Sequence, residues 1–427
     1  MKFNTVCVLG LGYIGLPTAC TFATHGLKVV GVDVNNQVIE TLKNGGVHIH
    51  EPGLRQLVEN ALISGNLTLI TQTTPADAFI IAVPTPFFDD KRSDMRAVTA
   101  ATESILPVLQ PNNLVVLEST SPPQTTRNLV RPILERSGLH CGSDFLLAYV
   151  PERVLPGQIL RELTENARVI GGFDQPSAEA GRDLYRTFVN GEILLTDATT
   201  AEMVKLMENT YRDVNIAIAN EFSRMAHSFG VDIWEAIDIA NRHPRVDILH
   251  PGPGVGGHCI GVDPWFLVEA APDISPLIHT ARQVNDSQPG FLVEVLKRAI
   301  GDLRGLRIAV LGLAYKPNID DLRESPAIEV ARHLLSAGAQ VIAFEPFKSI
   351  TNIKEIETNS TLEGTIEKAD ILALLVAHTS LKTLDPGWVA SKTRARIVLD
   401  AVNGWSRTEW QAAGFRFLRL GDGKING

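Results

Sequence analysis

Cysteine is scarce in this chain of 427 residues: Cys7, Cys20, Cys141 and Cys259 are all it has, with no CxxC pair and no metal-ligand spacing. That scarcity suits a reducing cytoplasm better than a disulfide framework and gives no reason to expect a metal. Positive charge is thin too. Lys and Arg number 39 against 48 Asp and Glu, the net charge is −9, and no Lys/Arg run exceeds two residues. A nucleic-acid partner is therefore not expected. No apolar run approaches the ~20 residues needed to cross a bilayer, so no membrane partner is expected either. The first residues run directly into a strand with no signal-peptide pattern, which again points to the cytoplasm. What remains, 44% apolar and 20% charged, is the composition of an ordinary globular protein. Its length leaves room for about two to three domains.

The N-terminal third alternates strands and helices. Thr5-Val6-Cys7-Val8-Leu9 reads as a strand, Gly10-Leu11-Gly12-Tyr13-Ile14-Gly15 opens a helix, and a second strand, Lys28–Val32, ends at Asp33. A GxGxxG after a strand, opening a helix and answered by an acid at the end of the next strand, is the dinucleotide-binding fingerprint. Gly10 permits the turn, Gly12 lets a pyrophosphate approach the helix N-terminus, and Gly15 allows close helix–strand packing. Asp33 suits the ribose hydroxyls and repels a 2′-phosphate, so NAD is expected rather than NADP. Cys7 and Cys20 lie in apolar segments and read as core. Further strands at 78–83, 114–117 and 145–150 run into polar, proline-rich loops carrying Thr85, Thr120 and Glu152. Ligands bind at such carboxyl ends, so these three are expected to face one crevice; as caps and turn formers they would be merely structural.

From Thr199 to about Phe229 no proline or glycine interrupts a helical pattern, long enough to be a spine. Lys205, Asn209 and Arg212 share one of its faces, with Glu208 and Asp213 one step off. Apolar residues such as Leu206, Ile218 and Phe222 fill the rest, so the helix is expected to be packed on most sides, its polar stripe lining a cleft. The segment Gly252-Pro253-Gly254-Val255-Gly256-Gly257-His258-Cys259-Ile260-Gly261-Val262-Asp263 is too rich in glycine for a helix or strand. It presents a cysteine between a histidine and an aspartate, an arrangement suited to thiol chemistry or to a plain surface turn. Residues 275–303 predict a second long helix, broken near Pro289-Gly290. The last third alternates strands and helices again, without a full GxGxxG, so one dinucleotide is expected and not two. The expected fold is α/β: two Rossmann-like parallel-sheet domains, 1–198 and 304–427, joined by a helical middle domain, 199–303, with the spine helix.

These residues together resemble the UDP-glucose/GDP-mannose dehydrogenase family along the whole chain. The strongest matches are Gly252–Cys259, Ala201-Glu202-Met203-Val204-Lys205-Leu206, and Gly312-Leu313-Ala314-Tyr315-Lys316-Pro317 with Asp321-Leu322-Arg323-Glu324-Ser325-Pro326. The resemblance implies an NAD-dependent, four-electron oxidation of a sugar nucleotide at C6. Cys259 would be the nucleophile and Lys205 the acid/base or oxyanion-stabilising cation. Asp263 and Thr120 would position the hydrolytic water, with Glu152 assisting. Tyr13, Ile14, Asp33, Thr85, Thr126 and Arg323 match NAD contacts beside Gly10, Gly12 and Gly15. Arg153, Val154, Lys205, Asn209, Arg212, His243, Arg245, Gly256, Tyr315 and Lys316 match substrate contacts. Arg245 is expected to reach into a neighbouring subunit's site, so a homodimer or higher oligomer is implied, the middle domain serving as its contact.

The stretches Pro151–Gly157, Asn241–Arg245 and His258–Phe266 carry a narrower match that implies a UDP-N-acetylhexosamine substrate, N-acetylmannosamine or its epimer N-acetylglucosamine. His258 and Val262 stand where glucose-specific relatives carry serine and lysine, and so argue against glucose. Two positions depart from the pattern: Gln124 replaces a glycine before the last threonines of its loop, and Val402 replaces a basic residue. A reading of another class, a non-catalytic NAD or sugar-nucleotide binder, leaves Lys205, Cys259 and Asp263 together without a purpose.

Overall fold

The structure, a computed structural model, describes residues 1–348 and 353–423. It comprises two compact units: Met1–Glu208 with Trp265–Pro272, and Asn209–Pro264 with Asp273–Gly427.

The first unit carries eight strands: β1 (Thr5–Leu9), β2 (Lys28–Val32), β3 (Leu67–Ile70), β4 (Ala78–Ile81), β5 (Leu114–Leu117), β6 (Leu146–Tyr149), β7 (Arg168–Gly172) and β8 (Ile193–Asp197). Their order is β3-β2-β1-β4-β5-β6-β7-β8. The first six are parallel in the doubly wound order, which reverses between β1 and β4 and so places a ligand crevice there. Side-chain alternation divides the apolar residues between two cores. Val6, Val8 and Val116 belong to one, Cys7, Leu9 and Leu117 to the other. Both faces are covered, which is why these strands read as continuous apolar runs. Cys7 and Cys20 are fully buried, and that burial pushes their thiols up to about 11 and about 12. They are inert core.

The two outer strands depart from the expected pattern. β7 lies antiparallel to β6, through Ala148↔Gly172 and Tyr149↔Gly171, and then pairs in parallel with β8. A Cβ on Gly171 would fall 2.6 Å from the Ala201 methyl, so the glycine lets the first turns of the spine helix sit on the strand.

The second unit holds β9 (Arg307–Leu311), β10 (Gln340–Phe344), β11 (Glu357–Thr358), β12 (Ile371–Leu374), β13 (Ile397–Asp400) and β14 (Arg416–Arg419). Their order, β11-β10-β9-β12-β13-β14, is parallel throughout. It repeats the first unit's central order strand for strand, a fuller echo than the glycine pattern predicts.

Two expectations about the helices need correction. The spine helix, Ala198–Phe229, is packed on most sides, but not by all of the apolar residues expected to do so. Tyr211 is 68% exposed and Phe229 71%, and Ile218, Phe222 and Met225 are exposed between them at helical spacing. Nor does the second helix break at its proline: Pro276–Ile300 runs unbroken through Pro289. Proline removes the bond to the Asn285 carbonyl, but both residues are buried and tertiary packing holds the turn. Gly254 uses the spot, since a Cβ there would lie 3.0 Å from the Asn285 oxygen and 3.5 Å from the Pro289 ring. Among the described residues no helix is long and apolar enough to cross a membrane.

Candidate active site

In the first unit the glycine loop follows β1. Gly10 has φ +92°, and a Cβ on it would meet the Ala82 oxygen at 2.5 Å. A Cβ on Gly15 would meet the Gly10 oxygen at 1.9 Å, whereas one on Gly12 meets nothing within 4 Å. Two glycines are thus required by packing and the third opens space, as the fit of a pyrophosphate at this helix start demands. Asp33, at the end of β2, accepts from Leu11 N at 3.0 Å and Asn35 N at 2.9 Å, which aims its carboxylate along the loop. Tyr13 and Ile14 lie on the same turn.

The loops after β4, β5 and β6 are brought side by side by the sheet order. Thr85 Oγ1 donates to the Thr120 carbonyl at 2.7 Å, joining two of the three predicted residues. Thr126 is fully buried; its hydroxyl and amide both donate to Glu202 Oε1, at 2.6 and 2.8 Å, while Gln124 N donates to Oε2 at 2.5 Å. Glu202, on the spine helix, thus clamps the Thr120–Thr126 loop, and burial raises its pKa. Gln124 has φ 70°, a left-handed conformation. That explains why a glycine is expected there and how a longer side chain stands in, at a cost of about 1 kcal/mol.

Glu152, on the loop after β6, is held at both oxygens: Oε1 accepts from Arg153 N at 2.8 Å and Oε2 from Arg168 Nη2 at 2.9 Å. The Arg153 guanidinium pairs with Glu208 at 2.6 Å and donates to the Ala167 carbonyl, while Val154 packs on the core. Lys205 is buried, at 8% exposure, unusual for a lysine and consistent with chemistry in a water-poor setting.

In the second unit the cysteine loop is shaped by close contacts. Gly257 has φ +83° and a Cβ on it would sit 2.6 Å from the Tyr315 ring; one on Gly256 would sit 2.2 Å from the Glu324 oxygen. Gly257 N donates to the Arg323 carbonyl at 3.2 Å, so this loop and the Tyr315–Pro326 segment are one assembly. Cys259 is exposed. Its carbonyl accepts from Asp263 N at 2.9 Å, and Asp263 opens the helix Asp263–Ala270. The Asp263 carboxylate is buried and accepts from Asn209 Nδ2 at 2.6 Å. Burial, then the Arg323 charge, lowers the His258 pKa and keeps the ring neutral. Burial would raise Asp321, but its hydrogen bonds from Arg323 outweigh that and hold the carboxyl low.

Arg212 is exposed, whereas Lys205 and Asn209 are buried. His243 and Arg245 lie on an exposed turn closed by the Asn241–Ile248 pair of hydrogen bonds. Val402 N donates to Asp400 Oδ1 at 3.0 Å, its backbone capping a buried acid.

Three family models match in chain order. Residues 4–189 match the NAD binding domain of the UDP-glucose/GDP-mannose dehydrogenase family, 199–287 its central domain and 309–407 its UDP binding domain. The chain belongs to this family. Its members' NAD dependence makes it an NAD-dependent dehydrogenase of UDP-sugars, with NAD its cofactor.

The chain is 47% identical to a UDP-N-acetyl-D-mannosamine dehydrogenase of Methanocaldococcus jannaschii, over 98% of this chain and 97% of that one. It is also 47% identical to an NDP-N-acetyl-D-galactosaminuronic acid dehydrogenase of Ralstonia nicotianae, over 95% and 97%. A solved UDP-D-ManNAc dehydrogenase from Pyrococcus horikoshii superposes with a TM-score of 0.91 at 40% identity, covering 98% and 99%.

Family membership also explains the second sheet. At the place of Asp33 it has Glu345, whose Oε2 accepts from Leu313 N and Ala314 N at 2.7 and 2.9 Å and faces His378 Nε2 at 3.1 Å. His378 Nδ1 in turn accepts from Asn318 N at 2.9 Å. This buried acid is consumed in bracing the Tyr315–Lys316 loop. The UDP-binding domain has kept the dinucleotide topology and turned its acid inward. Glu345 carries the same signal as Asp33, an acid closing the second strand; Glu202 and His378 carry no local signal.

Proposed function

We propose that the enzyme oxidises UDP-N-acetyl-D-mannosamine twice at C6, yielding UDP-N-acetyl-D-mannosaminuronate. The observation that carries the chemistry is the cysteine loop: it exposes Cys259 and, one turn on, buries the Asp263 carboxylate against Asn209. The exposed group attacks and the buried one orients. NAD, when bound, accepts hydride from C6. Loss of hydride and of the hydroxyl proton leaves an aldehyde, with Lys205 stabilising the oxygen's developing charge. The Cys259 thiolate adds to that carbonyl carbon and the oxygen takes a proton, giving a thiohemiacetal. Loss of a second hydride, to a second NAD, and of that proton gives a thioester, which water cleaves to the carboxylate and the thiol. Covalent capture retains the aldehyde between oxidations. Glu152, Thr120 and Asp263 orient the water. Arg153, Val154, Asn209, Arg212, His243, Gly256, Tyr315 and Lys316 contact the sugar nucleotide.

The run Val262-Asp263-Pro264-Trp265-Phe266 supports N-acetylmannosamine, as do the relatives named for it. Purified protein given NAD should form two NADH per UDP-N-acetylmannosamine, with a higher kcat/KM than on the N-acetylglucosamine or N-acetylgalactosamine epimers. A reversed preference overturns the sugar; tight NAD binding with no turnover on any UDP-sugar overturns catalysis in favour of a binding module. Such a uronate suits surface-polysaccharide synthesis, and the four thiols suit the cytoplasm.

The working form is proposed to be at least a homodimer. The bare stripe Tyr211, Ile218, Phe222, Met225 and Phe229 fits a second copy of the same helix, and exposed Arg245 is free to cross to the neighbour's site. Phe222→Glu with Met225→Glu should convert the dimer to a monomer by light scattering. Mixing inactive Cys259→Ala and Arg245→Ala proteins should restore up to about a quarter of the activity, in the one site of each mixed dimer that has both residues. No restoration would place Arg245 in its own subunit's site.

A further inference from the structure

Behind Glu152 lies an ionic cluster that the family roles do not use. Arg168, on β7, is 4% exposed and donates from Nη2 to Glu152 Oε2 at 2.9 Å. Its Nη1 lies 3.7 Å from Oε1 of Glu118, the residue following β5, whose side chain is fully buried. Tyr185 OH donates to that same Oε1 at 2.8 Å, and the Arg168 guanidinium lies over the Tyr185 ring, 4.8 Å from its centre. Glu118 Oε2 and Arg168 Nη1 have no hydrogen-bond partner, although both are buried. The ionisable groups facing Glu118 are thus Glu152, Arg168 and Tyr185.

Two carboxylates compete for one guanidinium away from water. With both ionised the cluster carries a net negative charge that nothing offsets; with one proton on Glu118 it is neutral. Arg168 cannot donate well to both, and the distances show that it has gone to Glu152.

We propose that Glu118 is a positioning residue for the hydrolytic step: kept protonated, it leaves Arg168 to orient Glu152, and on ionising it draws Arg168 away. The proposal deepens the function given above and rests on Glu152 acting there. Burial, then the charge of Glu152, pushes the Glu118 pKa up to about 7, so the switch falls in the working range. The sign follows. As pH rises through that value Glu118 loses its proton, Arg168 gains a second anion to serve, and thioester cleavage slows. The Tyr185 hydrogen bond favours the anion, so removing it should move the slowing to higher pH.

The test reads the Cys259 acyl adduct by quench and mass spectrometry, and uronate release, in single turnovers between about pH 6 and pH 9. Wild-type hydrolysis should slow by roughly tenfold or more across neutrality. Glu118→Gln, locked in the neutral form, should lose that inflection, with the change in kcat rather than in KM. Tyr185→Phe should keep the inflection and shift it upward. A variant that merely loosened the fold would lower the whole curve without moving its shape. An unchanged profile in Glu118→Gln, while adduct and uronate still form, overturns the proposal. Absence of any Cys259 adduct in the wild type overturns the underlying reading instead.

Discussion

Cys259→Ala should abolish uronate formation, by on the order of 10⁴-fold or more. The thiolate is the only group in the proposed mechanism that keeps C6 bound between the two oxidations, so its loss removes the thiohemiacetal and the thioester together. The variant should release at most one NADH per sugar nucleotide, with an aldehyde that a hydrazine reagent captures. Cys259→Ser should act through a weaker oxygen nucleophile and accumulate a stable ester. Cys141 supplies the control. Burial, then the charge of Asp174, pushes its thiol up to about 12, so it is not a nucleophile near neutrality. Cys141→Ser should change the rate by no more than about twofold. Uronate formation undiminished in Cys259→Ala would remove the covalent mechanism.

The second large effect concerns stability. Arg282→Ala should destabilise the second unit by about 3–5 kcal/mol. Arg282 is buried and donates to the fully buried Asp213 at 2.5 Å and to Asp286. Burial raises the Asp213 pKa, and the Arg282 charge works against that rise. Removing the guanidinium leaves an uncompensated carboxylate in the spine helix, which is the costly way to break a buried pair. The damage would not stop there. Asn285 Nδ2 donates to Asp213 Oδ1 at 2.8 Å, Asn220 Nδ2 to Asn285 Oδ1 at 2.9 Å, and Gly252 N to Asn220 Oδ1 at 2.9 Å. That chain of side chains ties the start of the cysteine loop to two helices. Urea unfolding followed by hydrogen exchange at second-unit amides should show the loss, and adding Asp213→Asn should recover a large part of it by removing the orphaned charge. An Arg282→Ala protein as stable as wild type would show that the pair contributes no net stability.

Much of this architecture is legible in the sequence because it rests on short-range rules. β1, β2, β5 and β10 are compact apolar runs bounded by glycine or polar residues, and their limits can be read directly. The glycine loop and Asp33 are a spaced pattern. The cysteine loop announces itself by composition. β7 and β8 escape such reading: Arg168-Val169-Ile170-Gly171-Gly172 mixes a charge and two glycines into a strand. The charge is there for Glu152 and Glu118, and the glycine for the spine helix. The break expected at Pro289 is a sound local rule overridden by packing.

The sequence by itself determined the family, the parallel core of each sheet and the cofactor, because each depends on residue type at fixed spacing along the chain. Tertiary structure alone decided which charges are buried and with whom. Glu152 meets Arg168 across 16 residues, Glu118 meets Tyr185 across 67, and Asp213 meets Arg282 across 69. A buried charge must find its partner in space, and no local pattern encodes that meeting. The same holds for the spine helix, whose bare stripe emerged only once the rest of the chain had been seen to leave it uncovered.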